Sequence, residues 1–125
     1  MGSLATRFFA TGAFFALLGM VWGIQMSATN DHTMGPVHGH LNLIGFVSMS
    51  IFGGFYALSP GIAALPIARV HYWLSVLAVV VLVPGIYMAL SGTGEVLAQA
   101  GSLLSVLTMA LFLFIVLRSG RRGTD

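Results

Sequence analysis

Four long stretches of this chain contain no Asp, Glu, Lys or Arg: residues 8–28, 37–58, 71–90 and 96–117. A hydrocarbon layer about 30 Å thick is crossed by roughly 20 apolar residues of helix, which satisfies its backbone N–H and C=O groups within its own segment. Each stretch is long enough to cross once, and the connections between them are short. The sequence therefore predicts an all-α fold, a single transmembrane domain over residues 1–125 built as a four-helix bundle. Charged residues are 6% of the chain, against about a quarter in a soluble domain. That deficit excludes a soluble enzyme, a disordered tail and a free-standing nucleic-acid module. The lipid bilayer is the expected partner; nucleic acid is not.

Turn residues divide the spans. Asn30, Asp31, Gly35 and Pro36 separate the first two, Ser59, Pro60, Gly61 and Pro66 the next two, and Ser91-Gly92-Thr93-Gly94 the last two. Pro84 lies inside the third span and should kink it, freeing the carbonyl of Val80. The first stretch exceeds the roughly 7–15 apolar residues of a signal peptide, so it is predicted to remain as a span. Met1 to Thr6 also fits a myristoylation pattern, but a span starting at Phe8 makes such an anchor redundant.

With four crossings, the N-terminus, the connection near residue 65 and the C-terminus share one side. That side receives Arg7, Arg69, Arg118, Arg121 and Arg122, all the positive residues of the chain, while Asp31 and Glu95 fall on the other. The positive-inside rule then predicts an integral membrane protein with both termini cytoplasmic. Small residues recur at four-residue spacing, in Gly19-x-x-x-Gly23, Ser50-x-x-x-Gly54 and Gly101-x-x-x-Ser105. They permit close helix contact, within one chain or between copies alike. Cysteine is absent, which excludes disulfides and thiolate metal sites.

Ionisable groups in a span are costly and point to function. Here they are histidines. His71 opens the third span beside Arg69, Tyr72 and Trp73, which reads as an interfacial belt with a hydrated or backbone-bonded imidazole. His38 and His40 stand in the first turns of the second span. Positions two apart on a helix point about 200° apart, so the two rings face opposite ways and cannot share one ion from one helix. His71, at the far end of its span, cannot join them. Imidazole is a common ligand of haem iron and of copper, and opposed rings suit a planar macrocycle on each side of the helix. Asn42, one turn beyond His38, could orient that ring. Gly39 and Gly45 remove bulk where a flat ring approaches.

The run Val37-His38-Gly39-His40-Leu41-Asn42-Leu43 and its continuation Phe52-Gly53-Gly54-Phe55-Tyr56 resemble a haem-ligating helix of the haem-copper oxidase superfamily, closest to the C-family oxidase and nitric oxide reductase branch. Ala68-Arg69-Val70-His71-Tyr72-Trp73-Leu74 is similar to the helix that follows. The likeness covers about 55 residues; the outer spans match in hydropathy alone. It implies a small relative of one four-helix unit of the catalytic subunit, in a prokaryotic inner or plasma membrane. It further implies a haem b at each boundary between copies, gripped by His38 of one protomer and His40 of the next. A homotrimer would rebuild the family's ring; a dimer sharing one haem is simpler. Propionates would rely on Trp22, Asn30, His32 or Tyr87, because no cation lies on that side. A full copper centre lacks its further histidines, and no span carries a carboxylate for proton conduction. The resemblance therefore implies six-coordinate electron transfer or redox and gas sensing rather than oxygen reduction, and it names no redox partner.

Two other readings stand beside it. Met26, His32, Met34, His38, His40 and Met88 all fall near the same face, and thioether with imidazole suits copper as Cu(I). Alternatively, the chain is a cofactor-free assembly subunit whose methionines only fill space.

Overall fold

The computed structural model describes residues 1–122. Four long helices carry the fold: α1 (Ser3–Thr29), α2 (Gly35–Leu58), α3 (Pro66–Leu90) and α4 (Val96–Arg122). A one-turn helix, Pro60–Ala63, joins α2 to α3. All four are long and apolar enough to cross a membrane. The all-α bundle expected from hydropathy is present. The ends of α2 and α3 and the start of α4 coincide with the apolar stretches. Elsewhere the helices run further, from Ser3, from Pro66 and to Arg122. The apolar count marks only hydrocarbon thickness, and a helix continues into the polar interface at little cost.

Local chemistry sets the turns. Asn30 ends α1 in the left-handed region at φ 55°, a conformation asparagine tolerates. Asp31 then accepts bonds from the backbone N–H and hydroxyl of Thr33, closing the connection to Pro36 in the first turn of α2. Between α3 and α4, Gly92 and Gly94 have φ of 77° and 143°, which a side chain would strain. Pro84 is exposed, and α3 continues through it to Leu90.

In lipid, helices associate through close packing rather than through hydrophobic transfer. α1 and α2 do so as an antiparallel zipper in which a side chain on one helix meets a glycine on the other. Phe8 sits on Gly53, Met49 on Gly12, Phe15 on Gly45, Asn42 on Gly19 and His38 on Gly23. A Cβ on Gly45 would lie 2.9 Å from that of Phe15, and one on Gly53 would lie 3.1 Å from that of Phe8. α3 and α4 pair likewise, with Gly101 against the Leu82 backbone and Gly85 2.6 Å, measured from an added Cβ, from the Ala98 nitrogen. The Gly19 and Gly101 motifs are thus occupied within the chain.

Phe8, Phe52, Tyr56, Tyr72 and Ile115 join the two hairpins in one core. Of the described side chains on α4, only Gly101, Thr108 and Ile115 are buried. Their seven-residue spacing gives a narrow seam, flanked by half-buried Leu111 and Phe112, which pack against the core. The start of α1, the end of α4 and the α2–α3 connection lie at one end with Arg7, Arg69, Arg118 and Arg121; His32, His38 and His40 lie at the other.

Candidate site at the histidine end

Pro36 and Gly35 start α2 so that His38 and His40 fall in regular α-helix, which ends at His40. Directly afterwards the backbone widens into a π-helical segment, Leu41–Val47. The Ser48 N–H and hydroxyl both reach the Leu43 carbonyl five residues back, the hydroxyl at 3.1 Å. Such widened turns are rare and concentrate at functional sites. Nothing in the sequence marked this one; it contains Gly45, on which Phe15 of α1 sits.

The two imidazoles point opposite ways, as their spacing requires. His38 turns toward α1, half-buried, with Nε2 2.9 Å from the Gly19 carbonyl. A carbonyl only accepts, so this bond places the proton on Nε2. The Asn42 amide lies 3.3 Å from the same nitrogen. A donation from Asn42 would need the other tautomer, so the two bonds alternate, and the shorter one belongs to Gly19. Trp22 meets the ring edge-on at 6.4 Å. In this arrangement His38 is a helix-pairing side chain whose Nε2 is already engaged.

His40 is the reverse case. It is exposed, and its Nδ1–H donates to the Pro36 carbonyl at 2.7 Å. In the neutral ring, a proton on Nδ1 leaves the lone pair on Nε2 of this exposed side chain. A backbone carbonyl on one ring nitrogen is the usual means of fixing which nitrogen binds a metal. Leu43, Val47 and Ile51 continue the exposed face of α2 beyond His40, so the free nitrogen heads an apolar strip.

The other candidate residues are placed elsewhere. Trp22 and Tyr87 meet, with Gln25, Met26, Thr29, Asp31, Thr33 and Met34, around a cavity of about 280 Å³ between the ends of α1 and α3. None of the histidines lines it. Hydrogen bonds from Thr33 hold the Asp31 carboxyl below the usual carboxylate range, so the cavity carries a negative charge that would repel a propionate. Trp22 and Tyr87 thus share a cavity that no histidine of the same chain lines. His32 is exposed in the connection, and its carbonyl accepts from the Gly35 N–H at 3.0 Å. Of the six residues weighed for copper, Met26 and Met34 share the cavity, whereas His32, His38, His40 and Met88 do not line it. Among the described residues no three His, Cys, Asp or Glu are grouped to hold a metal ion.

His71 departs from its interfacial expectation. It is fully buried (0% exposed), because α3 begins at Pro66 and carries it more than a turn inward. Its Nδ1 is 2.9 Å from the Tyr56 hydroxyl. Phe52 meets the ring edge-on at 4.5 Å and Phe112 stacks on it at 5.7 Å. Nε2 has no hydrogen-bond partner; it approaches the Thr108 backbone without closing a bond of standard geometry. One turn on, the Ser75 hydroxyl donates to the His71 carbonyl and bonds Thr108 at 2.7 Å. His71 is thus a polar linchpin of the core at the arginine half. Trp73, on the other side of α3, is the exposed aromatic.

In comparison with known proteins, the chain matches no family model, no curated protein and no solved structure.

Proposed function

We propose that this protein binds a b-type haem at the boundary between two copies of itself and carries electrons, with His40 as an axial ligand. The supporting observation is the His40–Pro36 hydrogen bond, which leaves an exposed, unprotonated Nε2 at the head of an apolar strip. Imidazole plus an apolar face suits the donor set and the ring edge that such a group needs. The His-x-His-Leu-Asn-Leu resemblance supports the same reading.

Of the two histidines on α2, each chain turns one outward, His40. A two-fold pair would bring two His40 rings together across one boundary, and a two-fold contact is the commonest between identical subunits. The haem supplies a one-electron ferric/ferrous couple when bound. With two His40 imidazoles holding the iron, no position would remain for a substrate, so the role would be electron transfer. The second reading is the three-membered ring, favoured by the opposite orientation of His38 and His40. It requires His38 to give up its bond to Gly19, a loss of about 1 kcal/mol, and to turn Nε2 outward. By the positive-inside rule we place the arginine end in the cytoplasm, so the haem lies toward the outer leaflet.

Haem content per chain, measured on detergent-purified protein of known oligomeric state, tests the proposal. The two-fold reading gives one haem per two chains, lost in His40→Ala and kept in His38→Ala. One haem per chain, lost in both variants, establishes the ring. Colourless protein from haem-replete cells overturns both.

A further inference from the structure

The arginine end holds a second feature, independent of the histidines. Arg7 of α1 and Arg69 of α3 are 62 positions apart in the chain, yet they line one groove of about 270 Å³ with Ser3, Leu4, Ala63 and Ala64. Both arginines are exposed. The two acids among the described residues, Asp31 and Glu95, lie at the opposite end, so no described carboxylate neutralises the pair. Ser3 brings the first turn of α1 into the same groove. That turn has no acidic residue and no side-chain cap, so its free N–H groups add positive potential. The first turn of α3 likewise lacks an acid.

An arginine pair and a helix start suit a phosphate, since the guanidinium fork matches its oxygens. The groove's position favours a lipid as its source. Arg7 heads a strip of α1 at helical spacing, Ala10, Phe14, Leu17 and Val21, every one exposed. On α3, Arg69 is followed by exposed Trp73, Leu77 and Val80. The two helices are tied between these strips by the bond of Thr11 to Tyr72 at 2.8 Å. A cationic head above two apolar strips is the complement of a phospholipid, with its phosphate at the interface and its acyl chains alongside α1 and α3.

We propose that the groove between Arg7 and Arg69 binds the phosphodiester of an anionic glycerophospholipid in the arginine-side leaflet, its acyl chains lying along the exposed strips of α1 and α3. Each arginine near an anionic surface raises affinity about five-fold, so the pair should confer roughly a twenty-five-fold preference over a zwitterionic lipid.

Native mass spectrometry of the full chain, released from nanodiscs containing equal phosphatidylglycerol and phosphatidylcholine, tests this. The wild type should retain phosphatidylglycerol in large excess, and R7Q/R69Q should retain the two lipids about equally. R118Q, which removes one positive charge outside the groove, should keep the preference, and millimolar inorganic phosphate should not displace the lipid. R7K/R69K preserves the charge and should keep a reduced preference, providing a folded comparison should the glutamine variant misassemble. Equal retention by the wild type overturns the proposal. So does displacement by free phosphate, which assigns the groove to a soluble anion, or an equal loss in R118Q, which assigns the preference to net charge.

Discussion

Tyr56→Phe should destabilise the bundle far more than the loss of one hydroxyl suggests. Among the described residues, the Tyr56 hydroxyl is the one partner that closes a hydrogen bond of standard geometry to the His71 ring, and Nε2 closes none. Phenylalanine keeps the aromatic packing, including the stack with Phe8 at 5.3 Å, so the change is nearly isosteric. It leaves both ring nitrogens buried without a partner, at a cost of about 1–3 kcal/mol for the newly orphaned group. The double variant Tyr56→Phe/His71→Phe removes every polar atom of the pair and keeps a flat ring against Phe112. It should recover to within about 1 kcal/mol of the wild type, since deleting both partners is far cheaper than deleting one. Unfolding in mixed micelles followed by circular dichroism gives the four corners of the cycle. A neutral Tyr56→Phe, or a double variant whose cost equals the sum of the singles, would refute the view of His71 as a residue dependent on Tyr56.

Three further outcomes follow from the packing and the loop. Gly101→Leu places a side chain where the Leu82 backbone already lies and should cost about 1–3 kcal/mol or more, seen as a lowered unfolding midpoint, whereas Gly39→Leu, which meets nothing within 4 Å, should be tolerated. Thr33→Val removes the hydroxyl bond that contributes most to holding the Asp31 carboxyl low, so NMR titration should find that carboxyl closer to the ordinary range. The sign is that of a depressed acid: the Asp31–Thr33 contribution is present above the unfolded carboxyl pKa and is lost as pH falls through the folded one. His38→Ala frees the Gly19 carbonyl at the α1–α2 contact and should lower stability by about 1 kcal/mol, while His40→Ala, exposed and bonded only to its own helix, should leave unfolding of the haem-free chain unchanged.

How far the sequence could be read depends on which forces it records. Four charge-free stretches specified four helices, since lipid leaves the backbone no alternative. The opposed directions of His38 and His40, and the approach of Asn42 to His38, followed from helical angles and are present in the fold. The environment of His71 was misjudged because Arg69, Tyr72 and Trp73 suggested an interface. A better signal was available: Ala68, His71, Ser75, Ala78, Leu82 and Gly85 form a mostly small-residue stripe at alternating three- and four-residue spacing, and all six are buried. Tyr56 as its partner comes from another helix, so no local pattern names it. Depth brings Trp22 and Tyr87 to the histidine end, and the fold sets Trp22 against His38 and, with Tyr87, around a cavity that no histidine lines. The π-helical segment after His40 contains Gly45, which Phe15 of α1 packs against, a contact that no pattern within α2 names.

The optical spectrum of the chain purified from haem-replete cells, before and after dithionite reduction, tests the central claim most directly. The wild type should show a Soret band and, on reduction, sharp low-spin α and β bands, and His40→Ala should lose them while remaining folded. A His40→Ala protein with an unaltered low-spin spectrum would contradict the assignment of its free Nε2 to the iron.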